Sequence, residues 1–133
     1  MKYLLDSNVC IRYLKGQSEK IRQMIHDIAD DEIALCSVVK GELFYGAARS
    51  NQPEKSRAVQ DEFVAHYRSL PFDDAAAEHY AQIRAKLYSK GTPISPNDLL
   101  IAAIGLANNL TLVTHNVVEL SRVDGLKIED WEQ

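Results

Sequence analysis

Apolar residues along this chain fall into two alternating kinds of run: short solid blocks, and longer stretches at helical spacing. Lys2 to Leu5 is the first block, and it stops at Asp6-Ser7-Asn8, three residues that favour caps and turns. Val9, Cys10, Tyr13 and Leu14 then recur at helical spacing up to Gly16. Ile21, Met24, Ile25 and Ile28 mark a second amphipathic helix, closed by Ala29-Asp30-Asp31. Ile33 to Cys36 is the next block, and Ser37 is placed to cap a helix running from about Val38 to Arg49. Val59, Phe63 and Tyr67 mark a helix beyond the polar loop at Asn51-Gln52-Pro53. Leu70-Pro71-Phe72 fits a short strand, which Pro71 confines to the edge of a sheet. Asp73-Asp74 caps a helix whose face carries Ala76, Tyr80, Ile83 and Leu87, and Gly91-Thr92-Pro93 breaks it.

The most informative run follows. Ser95 suits an N-cap, Pro96 the first helical position, and Asp98 lies three residues after the cap. From Leu99 to Ala107 there is no polar side chain, so this helix has no face built for water and belongs inside a domain. Asn108-Asn109 ends it before the block Leu110 to Thr114. His115 to Leu120 reads as a turn and a short helix, and Leu126-Lys127-Ile128 as a last strand. Blocks alternating with helices predict a parallel α/β sheet with right-handed crossovers.

The 133 residues suit one domain with its own core, at 46% hydrophobic and 26% charged residues. No run approaches the roughly 18 apolar residues of a membrane span, and Met1 to Asp6 is too short for a signal peptide. A cytoplasmic protein is expected, with Cys10 and Cys36 as reduced core thiols. The net charge of −4 disfavours broad nucleic-acid binding, but not a nuclease whose metal ions bring positive charge.

Three carboxylates sit at related places. Asp6 follows the first strand, Glu42 lies about two helical turns past the second, and Asp98 opens the helix that feeds the fourth. In open α/β sheets ligands bind beyond the carboxyl ends of strands, so Asp6, Glu42, Asp98 and Asn116 can meet at one edge. Gathered carboxylates repel each other unless cations join them, and Mg²⁺ is held by oxygen ligands. Such sites often serve phosphodiester hydrolysis. Each residue also has a plainer role: Asp6 and Asp98 as caps, and Glu42 in a salt bridge to Arg49 or Lys86. Glu42 shares a helix face with Val38, Val39, Tyr45 and Gly46, where a carboxylate needs a partner. His26, His66, His79 and His115 show no zinc spacing, and His115 is expected at the surface, not as a general base.

The stretches Leu4-Leu5-Asp6-Ser7-Asn8, Gly41 to Gly46, Pro96 to Ala103 and Leu112 to Asn116 resemble the PIN-domain ribonucleases in order and spacing. More closely, the chain resembles the VapC toxins of bacterial type II toxin–antitoxin pairs, down to the tail Val123 to Trp131. The resemblance implies a single PIN domain over residues 1–133, a three-layer fold with a five-stranded parallel sheet flanked by helices. It also implies an Mg²⁺-dependent endoribonuclease, with Mn²⁺ as a substitute, that acts on RNA, tRNA among its targets. Homodimers and a cognate VapB-type antitoxin follow as partners, with a hetero-oligomer of the two. By motif match, Asp6, Glu42 and Asp98 become metal ligands, while Asn8 and Thr114 orient ligands or waters. Many PIN domains carry Asp where this chain has Asn116, so Glu119, one turn later, is the candidate replacement. An inhibitor in this setting is expected to insert a tail Arg or Lys among Asp6, Glu42 and Asp98, with Val9, Tyr13, Phe44 and Tyr45 walling its groove. The competing expectation is a non-catalytic PIN-like scaffold, which has no use for stored carboxylate repulsion.

Overall fold

Leu4 and Leu5, wholly shielded from solvent, belong to β1 (Tyr3–Leu5), the middle strand of the sheet. The computed structural model describes all 133 residues. Its five strands are β1, β2 (Ile33–Cys36), β3 (Arg68–Leu70), β4 (Thr111–Val113) and β5 (Lys127–Glu129), in the order β3-β2-β1-β4-β5. All four pairings are parallel. Parallel strands need crossovers, and seven helices supply them: α1 (Ser7–Leu14), α2 (Glu19–Asp27), α3 (Ser37–Ala48), α4 (Pro53–Val64), α5 (Asp74–Ser89), α6 (Pro96–Ala107) and α7 (Val117–Leu120). No helix is long and apolar enough to cross a membrane.

Helix α6 packs along α5 and reaches β4, and Leu99 together with Ile101 to Gly105 is buried. Its end follows from Asn109, the one non-glycine residue at positive φ (53°), a conformation asparagine tolerates. Gly16 and Gly91 take the same left-handed conformation just past α1 and α5. Both cysteines are free and buried.

The structure moves several expected boundaries. Tyr67 lies outside α4, and the third strand is Arg68–Leu70 instead of Leu70 to Phe72. The strand is at the sheet edge as expected, and Pro71 marks its end. The last strand starts one residue later than expected, at Lys127. Ser37 does not cap α3: the cap position is Cys36, and the Ser37 hydroxyl donates to the Leu70 carbonyl at 3.5 Å.

Candidate active site

Strand-to-helix junctions in a parallel sheet open at the same edge; here the first carries Asp6 and the fourth Asn116, while Glu42 lies in the second turn of α3 and Asp98 in the first turn of α6. Asp6 directly follows β1, its N–H bonded to the Val113 carbonyl of β4 at 3.1 Å. Its carboxylate accepts the Val9 N–H at 2.9 Å, so it caps α1. Ser7, the first residue of α1, donates its hydroxyl proton to Glu42 on α3. Asp98 lies in the first turn of α6, where Ser95 accepts its N–H at 3.4 Å. The capping role of Asp6 is therefore real, whereas at α6 the cap is Ser95 and Asp98 is a first-turn acid; both carboxyl groups lie at helix starts, where the backbone dipole favours anions.

Asn116 joins the group from the loop after β4. Its side-chain amide donates to Asp98 Oδ2 at 3.1 Å and to Glu119 Oε2 at 2.8 Å. Carboxylates only accept, so the NH₂ end of the amide must face them. Its backbone N–H goes to the hydroxyl oxygen of Thr114 at 3.0 Å. Thr114 is wholly buried, and its hydroxyl proton is left for Asp6.

The electrostatics follow from that crowding. Burial pushes the Asp6 carboxyl up to about 6; the Thr114 hydroxyl and the Val9 N–H hold it down, and Asp98 and Glu42 raise it further. Asp98 is also pushed up, first by burial, against hydrogen bonds from Ser95 and Asn116, with Glu119 and Glu42 adding repulsion. None of Asp6, Glu42, Asp98 and Glu119 is in an ion pair. Arg49 and Lys86, the expected alternatives for Glu42, go elsewhere: Arg49 to the Tyr45 hydroxyl at 3.4 Å, Lys86 to Asp124. The donor set thus fits a hard divalent cation. It is all oxygen, carries uncompensated charge, and includes two carboxyl groups whose ionised forms are disfavoured without one.

Other expectations need correction. The buried stripe of α3 is Val39, Leu43 and Ala47, and Tyr45 is 61% exposed with Gly46 beside it, so Glu42 lies at the stripe's border. Val9 is buried and cannot wall a groove; the Phe44 ring is covered by the Arg57 guanidinium at 3.5 Å. A groove of about 410 Å³ does lead away from Glu42, between α1, α3 and α4, walled by Ile11, Leu14, Leu43 and Val59. Asn8 is exposed on the other side, lining an open depression with Arg12, His115, Asn116 and Glu132.

A cluster at that depression escaped the sequence. The ligand atoms of His115, Asp130 and Glu132 all lie within 4.8 Å of one another. Asp6, Glu42 and Asp98 do not close to that spacing. His115 Nδ1 sits 2.9 Å from both Asp130 and Glu132, and Arg12 pairs with Glu132. The register explains it: Val113 pairs with Glu129, which sets the residues after β4 beside those after β5.

Residues 3–126 match the model of the PIN domain family. The chain is 39% identical over 131 residues to the tRNA(fMet)-specific endonuclease VapC of Salmonella typhimurium, covering 98% of each. It is 33% identical over 134 residues to Ribonuclease VapC2 of Rickettsia felis, covering all of both. Among solved structures, the DNA-bound VapBC of Salmonella typhimurium superposes with a TM-score of 0.93, at 39% identity and 98% coverage of each chain.

Proposed function

The chain belongs to the PIN-domain family, among its VapC-type members, and on that premise we propose that it is the toxin of a type II toxin–antitoxin pair, an endoribonuclease dependent on Mg²⁺ with Mn²⁺ as a substitute. One observation carries the reading: Asp6, Glu42, Asp98 and Glu119 are gathered at one edge of the sheet with no cationic side chain paired to any of them. Residues 1–133 act as a single PIN domain. The RNA is of the tRNA class, by analogy with the Salmonella typhimurium relative named for tRNA(fMet).

Asp6, Glu42 and Asp98 would hold the cation, with Glu119 supplying the charge that Asn116 lacks. When bound, the ion lowers the pKa of a water and steadies charge on the departing oxygen. The protein's own part is positioning. Thr114 orients Asp6, Ser7 orients Glu42, and the Asn116 amide fixes Asp98 against Glu119. Asn8 lies at the rim, where it can meet substrate or water. A scaffold without catalysis would retain this repulsion for no gain.

The charge problem also suggests the inhibitor. A VapB-type antitoxin, the kind of partner found in the VapBC assembly of Salmonella typhimurium, would lay an apolar tail in the groove beside Glu42. An Arg from that tail would fork onto the carboxylates. The toxin acts as a homodimer in the cytoplasm. The test is sequencing of RNA 5′ ends after incubation with antitoxin-free protein. Cleavage should vanish with EDTA, return with Mg²⁺ or Mn²⁺, and be absent in Asp6→Asn. Full cleavage by rigorously metal-free protein would overturn the mechanism.

A further inference from the structure

Asparagine is among the residues most favoured at a helix N-cap, where its side-chain oxygen accepts a backbone N–H of the first turn. Asn116 stands at the N-cap of α7, yet its side chain caps nothing. Glu119, three residues on, holds the place from which a capping-box carboxylate reaches back to the cap's own N–H. That N–H goes to Thr114 instead, and the Asn116 carbonyl accepts the Leu120 N–H at 3.1 Å. The backbone of Asn116 is held at both ends, and both side chains are released from their usual pairing. The amide turns to Asp98 and Glu119 and gives an N–H to each.

Two bonds from one nitrogen fix a spacing. The N–H bonds of a planar amide diverge by about 120°, so donor distances of 3.1 and 2.8 Å set Asp98 Oδ2 and Glu119 Oε2 about 5 Å apart. Mg²⁺ takes its oxygens at about 2.1 Å, so two of them on one ion are no more than about 4.2 Å apart. With the amide between them, these two oxygens cannot share an ion. Asp98 is the member common to two groups: it is repelled by Glu42 and by Glu119, and it repels Asp6. The amide nitrogen thus lies where an ion shared by Asp98 and Glu119 would lie. Its protons occupy a lone pair on each carboxylate, as an ion would, but bring no net charge.

Resting on the metal-dependent ribonuclease reading above, we propose that the Asn116 amide stands in the place of a second cation. The protein then binds one divalent ion per chain, at Asp6, Glu42 and Asp98, and the amide keeps Glu119 apart from it. Glu119 contributes its charge from outside the ion's own ligands.

The test counts ions. Antitoxin-free full chain is titrated with Mn²⁺, and the free ion is read by electron paramagnetic resonance. The unmodified chain should bind one Mn²⁺. Asn116→Asp, which exchanges a donor for an acceptor, should bind two, close enough to broaden each other's spectrum, since paired ions lie roughly 3.5–4 Å apart. Adding Glu119→Gln to Asn116→Asp should return the count to one. A second readout uses the unmodified chain alone, so it decides the matter even if Asn116→Asp does not fold. The Asn116 side-chain NH₂ signals in a proton–nitrogen correlation spectrum, identified by their loss in Asn116→Ala, should keep their shifts and slow exchange at saturating Mg²⁺. Two Mn²⁺ on the unmodified chain, one on folded Asn116→Asp, or two persisting after Glu119→Gln overturns the proposal and leaves metal dependence standing. So do NH₂ signals that move to those of a free asparagine when Mg²⁺ is added. If no Mn²⁺ binds at all, the metal-dependent reading fails and the proposal with it.

Discussion

Two acidic clusters lie within a few residues of each other, and they meet the same electrostatic problem in opposite ways. Around Asp130 and Glu132 the protein supplies its own partners, the Arg12 guanidinium from α1 and the His115 imidazole from the loop after β4. Around Asp6, Glu42, Asp98 and Glu119 it supplies hydrogen-bond donors only, from Ser7, Thr114 and Asn116. Donors orient a carboxylate but do not cancel its charge. The first cluster is therefore complete in itself and ties the C-terminal segment to α1. In the function proposed above, the second is completed by a cation from outside, which is what would separate a site from a structural group of acids.

The largest expected effect tests that division directly. Asp98→Asn should reduce RNA cleavage by about a hundredfold or more, beyond the range for perturbing an outer partner of a metal, with no loss of stability in metal-free protein. Relief of repulsion offsets a weakened helix start worth roughly 1 kcal/mol. Asp130→Asn should do the reverse, lowering the melting temperature and leaving cleavage intact. A protein in which Asp98→Asn melts early and cleaves normally would reduce Asp98 to a first-turn acid.

A second effect lies in the pH dependence of metal-free protein. The Asp6 carboxyl is raised from 3.8 to about 6 by folding, so the folded state holds that proton more tightly than the unfolded chain. Its contribution is fully present below about pH 3.8 and is lost as pH rises through about 6, at most about 3 kcal/mol. Denaturant titrations in EDTA at pH 5 and pH 7 should show that loss, and Asp6→Asn should remove it. Adding Mg²⁺ at pH 7 should restore stability to the unmodified chain. An identical pH profile in Asp6→Asn would show that the carboxyl is not strained by folding.

The smallest effects refine the border between the clusters. Glu119→Gln should weaken Mg²⁺ binding by about tenfold, read by calorimetry. Arg12→Ala should cost about 1 kcal/mol of stability, since Arg12 is 42% exposed, while Mg²⁺ affinity stays as it was. Glu119→Gln with unchanged affinity would make Glu119 ordinary helix surface.

What the sequence reveals depends on whether a residue's neighbours are near in the chain. The central strands were legible because three or four buried residues in a row stand out, as Ile33 to Cys36 do. The helix starts at Asp73 and Ser95 were legible because a cap is a local bond, to the N–H three residues on. Strand β3 was misplaced because two of its three residues, Arg68 and Ser69, are exposed, as an edge strand allows, and leave no apolar block. Ser37 misled for the opposite reason: its partner, the Leu70 carbonyl, is 33 residues away. His115 with Asp130 and Glu132 was invisible for the same cause. Only the β4–β5 register brings them together, and one shifted strand boundary in the sequence reading was enough to blur it. Even the gathering of Asp6 with Asp98 depended on topology, not on spacing.

The strand order has a consequence in time. β1 is made first, but its partner β4 comes about a hundred residues later. At roughly 5–20 residues per second, Asp6 waits several seconds for the segment that carries Asp98, Thr114 and Asn116. No shorter nascent chain holds the assembled edge. Synthesis of this protein thus has a built-in safe interval, in which the chain on the ribosome carries the beginning of its site without the means to use it.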